Sequence, residues 1–293
     1  MMTSRSDAGW LRRRVGRELR TLRERAPERV GRRISTSEAA TELGCTQPKI
    51  TSMEQGKYRL QWRDVRDLLE LYGATDSEKT RLVNWAKRSN EPIWWAPFSE
   101  VVEDWFAELI GGEGEAEREI TYEHGLIPGL LQTRKYIEAL TRASPVVNQQ
   151  YHDLVVGLRI ERQHRLFDDE YPLKLEALIE ESVLSRPVGS EGVMREQFAH
   201  LVSLGNYDNI DIRVVPTSAG AHAAIDGSFI LLEFEEFQPA VYLQQHPVVG
   251  ARYSDEREVA DVYTDIAKQV RDVAYSQEVS LELIDSMSRD FSG

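Results

Sequence analysis

At 293 residues, with 41% apolar and 29% charged side chains, the chain has a globular composition and the length of two ordinary domains, each able to bury its own core. No apolar run approaches the roughly 20 residues of a membrane helix, the Arg-rich start lacks the apolar segment of a signal peptide, and one cysteine excludes an internal disulfide. A cytoplasmic protein without membrane contact is expected, and its net charge of −13 argues against nucleic acid only if the charge is evenly spread.

The charge is not evenly spread. Residues 1 to 88 hold 20 Lys and Arg against 12 Asp and Glu, a net +8, which leaves −21 on the remainder. A basic module joined to an acidic body is the pattern expected when only one part meets a phosphate backbone.

Residues 10 to 25 predict a first helix, with Leu11, Val15, Leu19 and Leu22 on one side and arginines around the rest. Ala26 to Arg33, which contains Pro27 and Gly31, reads as a basic loop whose Arg32 and Arg33 are candidate phosphate contacts, although an unstructured loop would look the same. From Thr36 to Gly56 the pattern is helix, tight turn, helix. Ala40 lets the two helices cross closely, Gly44 supplies the positive φ that ends the first, and Thr46 is the expected N-cap of the second. Pro48 fits the first turn, where its missing N–H loses nothing, and Cys45, Ile50 and Met53 fall on the inner side. The outward face is then Gln47, Pro48, Lys49, Thr51 and Ser52. A Gln amide can pair bidentately with adenine and a Lys can donate to guanine, so this face is the candidate reader of bases. The following turn, Lys57, Tyr58 and Arg59, is placed to meet the backbone.

Further helices are expected at 62 to 72 and 76 to 89, closing a five-helix module over residues 1–90. The segment 91–98, with two prolines and the Trp94-Trp95 pair, reads as a linker. Beyond it, over residues 99–293, the pattern is mixed: a helix near 99 to 110, an acidic Gly-rich loop at 111 to 115, and a strand near 118 to 124. Helices follow near 129 to 143 and 147 to 167, then a strand near 173 to 180, a helix at 191 to 205 and a strand at 210 to 215. Strands near 227 to 235 and 239 to 245 are expected to pair across Glu236 to Gln238, before a charged helix from 255 to 285. The fold class is α+β, with a small and mainly antiparallel sheet.

Competing chemistry finds little support in the residues. Adjacent Glu180 and Glu181 diverge on any regular backbone and cannot serve one bond as acid and base. Glu161 and His164 have the Glu-x-x-His spacing of di-iron bundles but lack the second copy such a site needs. Glu196 and His200, one helical turn apart, suit a surface hydrogen bond, and no G-x-S-x-G nucleophile motif occurs. His222, among small residues, could line an effector pocket or be an ordinary loop histidine. No cofactor, metal site or catalytic residue is expected.

An ordered set of phrases runs through the second half: Ile127-Pro128-Gly129-Leu130-Leu131-Gln132-Thr133 with Tyr136, Arg159 with Arg162-Gln163, Ile179-Glu180-Glu181, Arg186-Pro187-Val188-Gly189, Val214-Val215-Pro216, Gly220-Ala221-His222 and Gly227-Ser228-Phe229. With the helix-turn-helix before it, this set resembles actinobacterial Xre-type regulators, often called antitoxin-like, whose C-terminal domain was long catalogued as of unknown function. The resemblance implies a lambda-repressor-like N-terminal fold, sequence-specific binding of double-stranded DNA as a homodimer, and a regulatory C-terminal domain. It also implies a small partner protein encoded alongside and leaves room for a small-molecule effector. Gln47, Pro48, Lys49 and Ser52 match the base-reading places of that family, whereas Thr36 stands where a bracing Gln is common. Two other readings stay open: an antitoxin-like protein that mainly sequesters a partner, and an enzyme fused to a DNA-targeting module.

Overall fold

The computed structural model describes residues 8–235, 239–246 and 250–290. The chain divides into two compact units, one reaching Pro97 and taking in Ile110–Glu115, the other formed by Phe98–Leu109 and the residues from Ala116 on.

The helices of the first unit are α1 (Ala8–Glu24), α2 (Ala26–Val30), α3 (Thr36–Glu42), α4 (Gln47–Glu54), α5 (Trp62–Leu71) and α6 (Asp76–Arg88). The three-and-four spacing of Leu11, Val15, Leu19 and Leu22 puts all four in the core, with Ile50, Met53, Val65, Leu68, Leu69, Leu82 and Trp85. The expected basic loop at 26 to 33 is corrected: its first five residues form α2, which stands between the helices expected on either side of it. Pro27 lies in the first turn, which its fixed φ suits, and Gly31 ends the helix at a φ of 75°. Arg29 on this turn donates to both carboxylate oxygens of Glu78, at 2.7 and 2.9 Å.

Ala40 is buried as expected, but a closer crossing occurs at Gly16 on α1. A Cβ there would stand 2.5 Å from the carbonyl oxygen of Met53 and 2.7 Å from that of Glu54, so α1 lies directly on the end of α4.

The second unit contains a six-stranded mixed sheet in the order β3-β2-β1-β4-β5-β6. In chain order its elements are α7 (Asp104–Glu115), whose last residues group with the first unit, β1 (Arg118–Glu123), α8 (Arg134–Ala143), α9 (His152–Gln163), β2 (Lys174–Glu180) and α10 (Glu181–Leu184). Then come α11 (Glu191–Leu204), β3 (Ile210–Val215), β4 (Phe229–Glu233), β5 (Ala240–His246), β6 (Gly250–Ser254), α12 (Arg257–Val273) and α13 (Gln277–Asp290). β1, β2 and β3 pair in parallel through helical crossovers, whereas β4, β5 and β6 add antiparallel on the other side of β1. One sheet face packs Leu175, Ala177 and Ile179 against Phe198 and Leu201 of α11 and Ile284 of α13. The other packs Ile120, Leu178 and Leu231 against Ala260, Ala267 and Val270 of α12.

Several boundaries depart from the periodicity. Residues 111 to 115, expected as a loop, complete α7: Gly111, Gly112 and Glu113 are buried, and packing overrides the low helix propensity of glycine. The final helix is two helices, α12 and α13, separated at 274 to 276, and β6 lies in a stretch that carried no strand signal. β4 and β5 pair antiparallel, Phe229 opposite Leu243, while the expected turn at Glu236 to Gln238 lies outside the described residues. Among the described residues no helix is long and apolar enough to cross a membrane.

Candidate nucleic-acid interface

The reading helix α4 is positioned from both ends. Ser35 caps α3 by accepting from Glu38 N at 3.1 Å, and Gly44 turns the chain at a φ of 60°. Thr46 has the extended backbone of an N-cap, yet its side chain makes no cap bond; its carbonyl accepts from Lys49 N at 3.0 Å. At the far end the buried carboxylate of Glu54 is held by Arg23 of α1 in a two-pronged pair, Nε to Oε1 at 2.6 Å and Nη2 to Oε2 at 2.8 Å. Ile50 and Met53 are fully buried beneath. Cys45, expected to be buried with them, is only half-buried, its Sγ 3.7 Å from Thr46 O.

Thr46, Gln47, Pro48 and Thr51 are exposed, and Lys49 and Ser52 are half-buried. The Gln47 amide donates to the Thr36 hydroxyl at 3.0 Å, so the first residues of α3 and α4 are linked side chain to side chain although position 36 is not Gln. The Thr51 hydroxyl turns back to Gln47 O at 3.3 Å. Lys49 is tied more firmly: its ammonium donates to Asp64 of α5 at 2.6 Å and lies 5.4 Å from the centre of the Tyr58 ring. The Asp64 hydrogen bond, working against burial, raises the Lys49 pKa above its ordinary value.

In the turn after α4, Lys57 N and Tyr58 N donate to Ser52 O, and both side chains are exposed. Arg59 Nε donates to Asn90 Oδ1 at 2.8 Å. Arg32 pairs with Glu38, and Arg33 is exposed. The structure adds a cationic cluster that periodicity passed over. Arg63, Arg66 and Lys87 stand 5.2, 5.7 and 5.2 Å from the ring centre of Trp62, which opens α5 beside the Asp64 that holds Lys49. The only sequence signal was a Trp among cations.

In the second unit the paired carboxylates separate as expected. Glu180 accepts from Tyr122 Oη at 3.0 Å and lies 2.9 Å from His222 Nε2, whereas Glu181 accepts from Thr217 N at 2.8 Å. His222 is therefore a bonded histidine, with its Nδ1 taking Ala224 N at 3.3 Å. Glu161 and His164 form an exposed pair at 3.3 Å. Glu196 pairs with Lys135 at 2.6 Å, and burial, opposed by the charge of Glu196, lowers the pKa of His200. Among the described residues no group of three or more His, Cys, Asp or Glu is arranged to hold a metal.

A short helix, a glycine turn and an exposed second helix braced on a helical core define a helix-turn-helix protein. A helix-turn-helix domain model matches residues 14–82, and a model described as a domain of unknown function (DUF5753) matches residues 106–286. The second match covers more than half of the chain, and the protein belongs to that family. Comparison with curated proteins and with solved structures finds no match.

Proposed function

We propose that this protein is a sequence-specific transcriptional regulator that binds duplex DNA as a dimer, placing the two copies of α4 in successive major grooves about 34 Å apart on an inverted repeat. The observation that carries the reading is the Gln47–Thr36 bond at the exposed mouth of the motif. It fixes an amide in the place where α4 would enter the groove. Gln47, Pro48 and Ser52 read bases in this account, and Thr36, Thr46, Thr51, Lys57, Tyr58, Arg59, Arg32 and Arg33 meet sugars and phosphates. Lys49 reaches bases when it leaves Asp64. The cations around Trp62 extend the same basic surface.

The acidic second unit supplies dimerisation and control by an effector or a small partner protein, and the net charge of −21 carried beyond residue 88 keeps that part of the chain from competing for the phosphate backbone. The chain is given no catalytic step. In anisotropy titrations on the footprinted site, Gln47→Ala is expected to weaken binding by about 1–3 kcal/mol. Unchanged affinity on that site would remove the base-reading assignment.

A further inference from the structure

β1 is the strand at which the sheet changes direction: β2 and β3 are laid parallel on one side of it, and β4 returns antiparallel on the other. In open sheets, crevices form beyond the carboxyl ends of parallel strands at such a switch, because the following connections depart to opposite sides. Here that end is Glu123, followed by His124 and Gly125, and the start of β4 brings Gly227 and Ser228 to the same edge. Ser228 Oγ donates to Glu123 Oε2 at 2.8 Å and lies 3.1 Å from His124 Nδ1.

The glycines show that this edge is open, and an arginine whose charge is felt by Glu123 has hydrogen-bonding capacity to spare. Neither Gly125 nor Gly227 has a positive φ, and a Cβ added to either would meet nothing within 4 Å. Neither backbone strain nor packing by the chain therefore requires a glycine there. On α9, Arg159 makes a single hydrogen bond to the described residues, a long one of 3.4 Å to Gln132 Oε1. A guanidinium has five N–H donors, so most of its capacity is unspent. Its partner is held firmly: Gln132 is buried, its amide donating to Ile127 O at 2.7 Å, and Gln163 donates to Gly129 O and Gln132 O. Burial, then the like charge of Arg162, lower the Arg159 pKa to about 10, and Glu123 opposes them. A preorganised, partly desolvated arginine with little bonding is the half-site of an ion pair.

We propose that Arg159, bonded to Gln132 and paired in charge with Glu123, which Ser228 links to His124 at the strand end, binds the oxyanion of a small metabolite, a carboxylate or phosphate borne beside a hydrogen-bond donor that Glu123 accepts. This site is the effector input of the regulatory reading above and rests on it for its purpose, though not for its chemistry. Gly125 and Gly227 leave room for the body of the ligand.

The test is calorimetric titration of the full chain, without DNA, with inorganic phosphate and with acetate at constant ionic strength. At least one probe is expected to bind saturably, and which one binds identifies the oxyanion. Arg159→Gln is expected to weaken that binding by about tenfold or more, and Arg159→Lys, which keeps the charge and loses the fork, by a smaller factor. The exposed Arg134→Gln should leave it unchanged. Absence of saturation by either probe at concentrations on the order of tens of millimolar, or an Arg159→Gln protein that binds like the parent, would overturn the proposal. If Arg159→Gln does not fold, Arg159→Lys takes its place: weakened binding supports the site and unchanged binding overturns it. Saturable, Arg159-dependent binding with DNA affinity identical in its presence and absence would uphold the site and overturn the regulatory reading.

Discussion

Gln47 and Lys49 lie two residues apart on α4 and are prepared differently. Gln47 is exposed and oriented by one neutral bond to Thr36, which contributes about 1 kcal/mol and is readily exchanged for a base. Lys49 is held by an anion, and Asp64 beside a phosphate backbone is itself repulsive. Asp64→Asn is therefore expected to tighten DNA binding and to steepen its dependence on salt by about one unit of log K per log concentration, as the freed Lys49 enters the groove and adds one cation to those that displace counterions from the DNA. Titration at several salt concentrations checks this, and an unchanged slope would place Lys49 away from the DNA. Gly16 makes a purely structural prediction. With carbonyl oxygens 2.5 and 2.7 Å from its missing Cβ, Gly16→Ala must push α1 off α4. The expected cost is about 1–3 kcal/mol, read by denaturant unfolding. Sequence pattern marked Ala40 for this role because it lies within the motif, whereas the contact at Gly16 joins residues far apart in the chain.

Among the elements, α6 shows how capping and tertiary pairing share one side chain. Thr75 and Glu78 form a capping box, and the same carboxylate receives Arg29 from α2. The Arg29 hydrogen bond, followed by the Thr75 bonds, holds Glu78 down to about 2 from an ordinary 4.5. The folded pKa lies below the unfolded one, so the stabilisation is present above about pH 4.5 and is lost as pH falls towards 2. Glu78→Gln is expected to cost on the order of 2 kcal/mol at neutral pH and progressively less below pH 4.5, a convergence visible in unfolding curves at several pH values. Most helices of the first unit were legible because their apolar stripes and caps are local signals: α1, α5 and α6 fall within two residues of the expected ends. α2 was hidden because its Pro and Gly read as breakers when they are its first turn and its cap. The glycines of α7 misled for a similar reason, since their burial is not visible in local propensity. Among the described residues β6 pairs only with β5, and nothing in Gly250 to Ser254 alternates strongly enough to reveal it. The Arg159 constellation was present in the sequence only as separate phrases, which the switch of strand order at β1 brings together.

For the whole molecule, a single net charge of −13 conceals a chain of two characters, +8 in residues 1 to 88 and −21 beyond. A helix-turn-helix alone establishes little about regulation, and the family match of residues 106–286 names a domain without an activity. Function here rests on geometry: an exposed, braced α4 in the basic part, and an open sheet edge with the sparsely bonded Arg159 of α9 in the acidic part. The most direct measurement of its central claim is a footprint of the full chain on the DNA upstream of its own gene, with Gln47→Ala beside it. The account predicts two protected half-sites related by a dyad, about one helical turn apart, both lost in the variant. Uniform protection without a preferred site, or a footprint that Gln47→Ala leaves intact, would contradict it.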